Sequence, residues 1–310
     1  MATGLDADQG LAAPPGAASR GRGRLGSFFW RHSWLRALAL LLLPVAAFFF
    51  VYLASLGALF VSAFWSVDPF TSEVVRTWSL DNFRTVWESE VYRRIAFRTV
   101  GIAAAVTVTD AVLAFPFAYF MARIASSRTR GVLFVLVLLP LWSSYLVRVY
   151  AWRLILAHDG ALNWSLGKLQ LPSLNIGYSN TAMWIVFSYI WLPFMILPVY
   201  AALERIPNSY LEASRDLGAR GWTTLRRVVL PLALPGLVAG SIFTFSLTLG
   251  DYVTPALVGG AGSQFIGNVV FESVGIANNV PFAAAYATVP LLIMAVYLVI
   301  ARRLGAFEAL

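Results

Sequence analysis

The 310-residue chain is 59% hydrophobic and only 12% charged, whereas a soluble globular chain carries about 25% charge. An apolar excess of this size needs lipid as its solvent, so the composition describes an all-α integral membrane protein. With no cysteine, disulfides, thiolate nucleophiles and cysteine-ligated metals are excluded. His32 and His158 both border apolar segments and read as interfacial polar residues rather than as a metal site. The net charge of +8 is carried by arginine, lysine occurring only at Lys168. The arginines gather at the ends of apolar runs, and no basic stripe with interleaved aromatics lies outside them, which argues against a nucleic-acid partner.

Residues 1–35 form a basic cytoplasmic tail. Its first part, to about residue 27, is rich in Gly, Ala and Pro and poor in large apolar side chains, a composition expected to be disordered. No short apolar core follows it directly, and the next run is too long for a cleavable signal, so that run reads as a retained anchor. Residues 36–304 then hold six stretches able to cross a bilayer, given that about 20 residues at 1.5 Å rise span the hydrocarbon. They lie near 36–65, 97–122, 131–156, 181–203, 229–252 and 284–304, and residues 305–310 form a cytoplasmic end. The first is long enough to tilt or to project beyond the bilayer. Pro44, Pro116, Pro140, Pro193 and Pro198 fall inside spans, where neighbouring helices can satisfy the freed carbonyls.

Orientation follows from the arginines. With the N-terminus inside, Arg20, Arg22, Arg24, Arg31 and Arg36 are cytoplasmic, as are Arg123, Arg128 and Arg130, the cluster from Arg205 to Arg227, and Arg302 and Arg303. The outer segment 66–96 also holds arginines, but acidic residues accompany them. Both termini are therefore predicted to be cytoplasmic. No internal repeat is evident.

The most informative segment is the cytoplasmic loop 204–228 and its continuation to Pro231. Pro207 and Asn208 supply a helix start, with Glu212 in the early turns where the macrodipole favours an anion. Gly218 ends this first helix, and Gly221-Trp222 opens a second, amphipathic one that runs to a break at Leu230-Pro231. The segment resembles the Glu-Ala-Ala loop of ABC importer permeases: Glu212-Ala213-Ser214, Gly218, Trp222 or Leu225, and Leu230-Pro231 sit in register, with only Ser214 departing from the commonest form. The resemblance implies the type I importer permease fold of six helices, with the loop docking on a cytoplasmic ATPase through Glu212, Ala213, Gly218, Ala219, Trp222, Leu225 and Pro231.

The likeness extends over nearly the whole chain. Ser79-Leu-Asp-Asn-Phe83, Tyr92 and Thr99 look like the outer loop and second-span entry of this importer class. The segments 139–152 and 250–260 look like the spermidine/putrescine branch, and specifically the first of its two permeases. What this implies is a heteromeric importer: two copies of an ABC ATPase that bind ATP and magnesium, a second permease subunit, an extracytoplasmic solute-binding protein, and a place in the bacterial inner membrane. No cofactor is expected in this chain.

Candidate path residues are the ionisable and aromatic groups at membrane depth, where charge is costly and usually faces a cavity or a partner. Asp110 lies mid-span, Asp251 and Tyr252 sit at the outer end of the fifth span, and Arg148 lies at the outer end of the third beside Tyr145, Tyr150 and Trp152, with Trp142 a further candidate. A polyamine would be drawn to the carboxylates and to aromatic faces, each face contributing about 0.5–2 kcal/mol. Arg148 opposes a simple polycation funnel unless it pairs with Asp251. A structural latch between the fifth span and its loop is the alternative role for Asp251, and a buried hydrogen bond the alternative for Asp110. Trp184, Tyr189 and Trp191 read as packing or interfacial aromatics. Gly236 and Gly240 form a Gly-x-x-x-Gly spacing suited to close helix contact, with the second permease as its expected partner.

No Gly-x-x-x-x-Gly-Lys-Ser/Thr loop occurs, so energy must come from another chain or from an ion gradient. Two other classes compete. A stand-alone secondary transporter or channel leaves the 208–231 loop unexplained, and a membrane enzyme lacks any paired acid/base or metal cluster at membrane depth. A permease for another small cationic or amino-acid-like solute also remains open.

Overall fold

The computed structural model describes residues 40–42, 44–68 and 70–303; the predicted tail 1–35 and the end 305–310 lie outside the described residues. By internal contacts the chain divides into two units, Met1–Gly57 and Ala58–Leu310. Among the described residues, five helices are long and apolar enough to cross a membrane: α1 (Leu40–Ser62), α3 (Glu90–Ile124), α7 (Asn180–Arg205), α9 (Gly221–Gly250) and α12 (Val280–Arg303). A bent pair, α4 (Ser127–Trp142) with the segment Tyr145–Lys168, passes the same test only when taken together, as a broken sixth span or a re-entrant loop. That segment holds α5 (Tyr145–Leu156) and α6 (Ala161–Lys168). Shorter elements complete the chain: the β1–β2 ladder (Ser66–Val67 with Val74–Val75), α2 (Asp81–Glu88), α8 (Asn208–Asp216), α10 (Val253–Val258) and α11 (Ile266–Gly275).

The third span is not the continuous helix predicted over 131–156. The axis turns by 93° between α4 and the segment that follows. Pro140 sits in a 3₁₀ turn at Leu139–Trp142, and Ser143 and Ser144 are both extended. A proline followed by two small hydroxyl residues cannot maintain the i→i−4 ladder, so the helix ends and restarts. The fifth span departs in the opposite sense. Leu230-Pro231 does not break it, and α9 runs unbroken from Gly221 to Gly250. The accommodation lies just upstream, where Leu225–Val229 widens into a π turn and the Leu230 N–H reaches back to the Leu225 carbonyl. The wider turn makes room for the proline ring.

The centre of the second unit is the packing of α3, α7 and α9 on one another. The buried face of α3 is mostly small and polar, with Thr99, Ala103, Thr107, Asp110, Ala114 and Ala118 beside Ile95 and Val106. On α9, Gly236 and Gly240 are buried against α7 of the same chain. A Cβ on Gly236 would lie 2.4 Å from the Ala202 Cβ and 2.7 Å from the Pro198 carbonyl oxygen, and one on Gly240 would meet Met195 at 2.7 Å. The Gly-x-x-x-Gly spacing thus serves an internal contact, not the second permease: α7 approaches so closely that no other surface can use those glycines. Thr244 follows on the same face and reaches Thr107 of α3 at 3.4 Å.

Towards one end, α12 packs through Phe282–Tyr286. The rings of Tyr92, Phe282 and Tyr286 cluster there, and the Tyr286 hydroxyl donates to the Tyr92 carbonyl at 2.8 Å. The outer faces of the spans, including Val108, Val112, Leu291 and Val296, are apolar and exposed, as lipid-facing or subunit-facing surfaces must be.

Leucine at Gly240 is expected to lower stability by about 1–3 kcal/mol through overpacking, read as a lower melting point of the purified subunit in detergent. Alanine at Gly250, where an added Cβ meets nothing within 4 Å, is the control. Equal melting of Gly240→Leu and wild type would sink the assignment of this contact to α7.

Candidate functional site

The loop between α7 and α9 starts where Ile206 and Pro207 turn extended and end α7. Asn208 opens α8 but does not cap it with its side chain. Its Oδ1 instead accepts from Nη1 of Arg123 at 2.9 Å. Gly218 then adopts a φ of +76°, the left-handed conformation that closes a helix without steric cost only when no Cβ is present. The Gly218 and Ala219 N–H groups bond back to the carbonyls of Arg215 and Ser214 at 2.8 and 3.0 Å. Ser214, the residue that departs from the commonest family pattern, is buried and meets the Thr224 hydroxyl at 2.9 Å. That bond joins α8 to the first turn of α9.

The loop sorts its residues cleanly. Leu211 and Leu225 turn inward and pack on the hydrophobic core beneath. Glu212, Ala213 and Gly218 are exposed and Ala219 is half-buried, while Leu217 is 88% and Trp222 72% exposed. An open groove runs between the two helices, lined by Tyr210, Ala213, Leu217, Gly218, Thr223 and Arg227. Pro231 is exposed on α9 just past the π turn. Large apolar side chains standing in the open beside arginines form a surface suited to a partner protein.

The predicted path residues separate into two groups. Asp251 leaves the end of α9 and is 9% exposed. One carboxylate oxygen accepts the Val253 and Thr254 N–H groups at 2.7 and 3.3 Å. The other accepts the Thr254 hydroxyl at 3.0 Å and the Tyr145 hydroxyl. The Tyr145 ring stacks on Trp191 with centroids 5.8 Å apart. Asp251 therefore starts α10 and ties α9, α5 and α7 together. Tyr252 is half-exposed and stacks on Phe271 at 4.7 Å.

Arg148 does not pair with Asp251. Its Nε and Nη1 atoms are buried with no acceptor among the described residues. Trp142 stands 87% exposed at the α4–α5 corner. Asp110 is fully buried on α3, and neither carboxylate oxygen has a hydrogen-bond partner among the described residues. Beside it lies the Ser188 hydroxyl, a side-chain donor within reach of the carboxylate but not in strict hydrogen-bond geometry with it. Sequence reasoning assigned no role to Ser188, and it treated Arg123 and Arg130 only as topology markers. A serine inside a long apolar run was the one available signal for Ser188; nothing in the sequence pairs Arg123 with residues more than 80 positions away.

These two acids call for opposite stability effects. Asp251→Asn is expected to destabilise the subunit by about 1–3 kcal/mol, because it disturbs a carboxylate with satisfied donors. Asp110→Leu is expected to leave the melting point unchanged or to raise it, since it removes a buried polar group that lacks a partner. A marked loss of stability in Asp110→Leu would show that Asp110 is part of the hydrogen bonding of the fold.

The comparisons with known proteins agree with this architecture. The profile of the family described as "Binding-protein-dependent transport system inner membrane component" matches residues 114–307. The chain is 47% identical over 303 residues to the inner membrane ABC transporter permease protein YdcU of Escherichia coli (strain K12), covering 94% of this chain and 96% of that protein. It is 33% identical over 209 residues to the spermidine/putrescine transport system permease protein PotB of Haemophilus influenzae, covering 67% and 72%. Among solved structures, a bacterial ABC transporter involved in import of the acidic polysaccharide alginate matches with a TM-score of 0.68 at 20% identity over 90% of this chain and 99% of that one. The MetNI methionine ABC transporter matches at 0.54 and 18% identity over 73% and 98%. A bundle of membrane-crossing helices with a helix–glycine–helix loop between its fourth and fifth spans, matched along nearly its whole length to such permeases, belongs to the binding-protein-dependent transport system inner membrane components, the permease subunits of ABC importers.

Proposed function

We propose that this permease carries a polyamine, with spermidine and putrescine the first candidates, as one of two different permease subunits over a pair of ABC ATPases. Both termini and the α8 loop face the cytoplasm, in keeping with the arginines at that end. A solute-binding protein delivers to the opposite face. ATP and magnesium are bound by the ATPase, and hydrolysis occurs there.

The observation that carries the coupling role is the loop itself. α8 is a short rigid helix ended by a left-handed glycine and joined to α9 by the Ser214–Thr224 bond. It presents Glu212 and Ala213 outward, with Leu217 just past its end and Trp222 in the first turn of α9 exposed beside it. Such a helix can enter a groove on a partner and pass displacement into α7 and α9, to which it is directly connected. The substrate class rests on the PotB relatives, whose names specify spermidine and putrescine.

Within the path, Asp251 acts as a latch at the outer gate, because its acceptor positions are already filled. Asp110 is the carboxylate with open lone pairs, and it meets the solute's ammonium group when α3 and α7 separate. Tyr145, Tyr252 and Trp142 line the approach. The guanidinium of Arg148, with no acceptor of its own among the described residues, favours a second reading in which the solute carries a carboxylate as well as an amine.

The test is solute-stimulated ATPase activity of the reconstituted complex, comparing wild type with Glu212→Ala and Gly218→Asp. Stimulation by binding protein loaded with spermidine or putrescine, lost in both loop variants while the complex remains assembled, is the expected result. Stimulation by an aminocarboxylate but by neither polyamine would select the second reading. If no ATPase co-purifies with the wild type, the coupling role is wrong.

A further inference from the structure

The loop that faces the ATPase is covalently joined to α7 and α9 but not to α3, yet α3 crosses the whole bundle and packs on both. At about 1.5 Å per residue, its 35 residues span roughly 50 Å. Its far end is tied to the segment after α10: Arg98 donates to the Gln264 carbonyl at 3.3 Å, and the Thr99 hydroxyl accepts the Ile266 N–H at 3.2 Å. A motion that begins at α8 reaches that end through side-chain packing on α7 and α9 and, directly, through any tie that holds the near end of α3 to the loop.

Arg123 makes that connection. It lies in the last turn of α3, and its guanidinium donates to three acceptors on the α7–α8 junction. Nη2 reaches the Leu203 and Ile206 carbonyls, each at 2.5 Å, and Nη1 reaches Oδ1 of Asn208 at 2.9 Å. The carbonyls belong to the end of α7, where helical partners run out and a cation is favoured by the dipole. Arg130 adds a second tie. It donates to the Met121 and Ala122 carbonyls at 3.1 and 3.4 Å and lies 3.6 Å from Glu204 of α7.

A charge that served topology alone would need only to be solvated at this end, as exposed Arg128 is. Arg123 is instead half-buried, with its Nε enclosed and lacking an acceptor. The side chain thus accepts the cost of one unpaired donor while its fork spans two carbonyls and an amide. Lysine, a single point donor, cannot reproduce that fork.

We propose that Arg123 is the positioning residue that carries displacement of the coupling helix into α3, so that ATP-driven motion at α8 moves the far end of α3. This rests on the coupling role proposed above for α8. Without the fork, α7 and α9 still follow the ATPase while α3 lags, and hydrolysis continues without full rearrangement of the path.

The chain has no cysteine, so paired spin labels can be placed in the full reconstituted complex at Val91→Cys, near the start of α3, and Val147→Cys on α5, both exposed. The reading is the change in their separation on trapping with ATP and vanadate, alongside the ATPase rate. In Arg123→Lys, which keeps the charge, the distance change is expected to shrink to less than half while ATPase activity stays within about twofold of wild type. Asn208→Ala, which removes one of the three acceptors, is expected to give a smaller reduction. An undiminished distance change in Arg123→Lys overturns the proposal. So does a fall in ATPase activity that matches the loss of motion, because Arg123 would then only hold the complex together. If wild type with labels hydrolyses ATP but its labels do not move, α3 is not part of the transmission and the proposal fails while the coupling loop stands. An absence of associated ATPase removes the coupling reading itself.

Discussion

The contact between α7 and α9 at Gly236 and Gly240 is the constraint from which the remaining arrangement follows. Lipid supplies no hydrophobic drive for one helix to meet another, so helices in a bilayer associate through close packing and hydrogen bonds. The two glycines let α9 settle against Pro198, Ala202 and Met195 with no room for even a methyl group. The threonine and alanine face of α3 then fits against both helices. Prolines lie on either side of this contact, yet the three helices stay continuous, and a π turn at Leu225–Val229 precedes Pro231.

On that frame the polar groups fall into two kinds. Asp251 is fully engaged, accepting from two N–H groups and two hydroxyls while capping α10. Such a site defines geometry and offers little to a passing solute. Asp110 and Arg148 are the reverse, enclosed and without partners among the described residues. Unpaired polar groups are costly in a dry interior, which is why these two, rather than Asp251, are the groups proposed to meet the solute.

The two ends of the bundle are built differently. At one, aromatic rings of α3 and α12 cluster, and short helices close the spans. At the other, arginines from α3 and α4 cap the carbonyls where α7 and α3 run out of helical partners. The arginines that mark topology therefore also bind the α7–α8 junction to the body of the subunit. Beyond that junction Leu217, at the end of α8, and Trp222, in the first turn of α9, stand exposed.

Composition and periodicity determined a great deal by themselves. Hydrophobic runs of bilayer length pointed to long apolar helices, because the requirement that each backbone group be satisfied inside lipid leaves a chain of this kind only helices. The loop could be read from spacing alone: a helix start at Pro207, a stop at Gly218 and a restart at Gly221 are local matters of φ and missing N–H groups. What depended on contacts across the sequence was not legible. Pro140 breaks its span whereas Pro231 does not, since one precedes two extended serines and the other follows a turn able to widen. The glycine pair faces α7 rather than another subunit, and Asp251 meets Tyr145 while Arg148 does not meet Asp251. Each of these was decided by which helices become neighbours, and a linear pattern carries the face of a helix but not the identity of what packs against it.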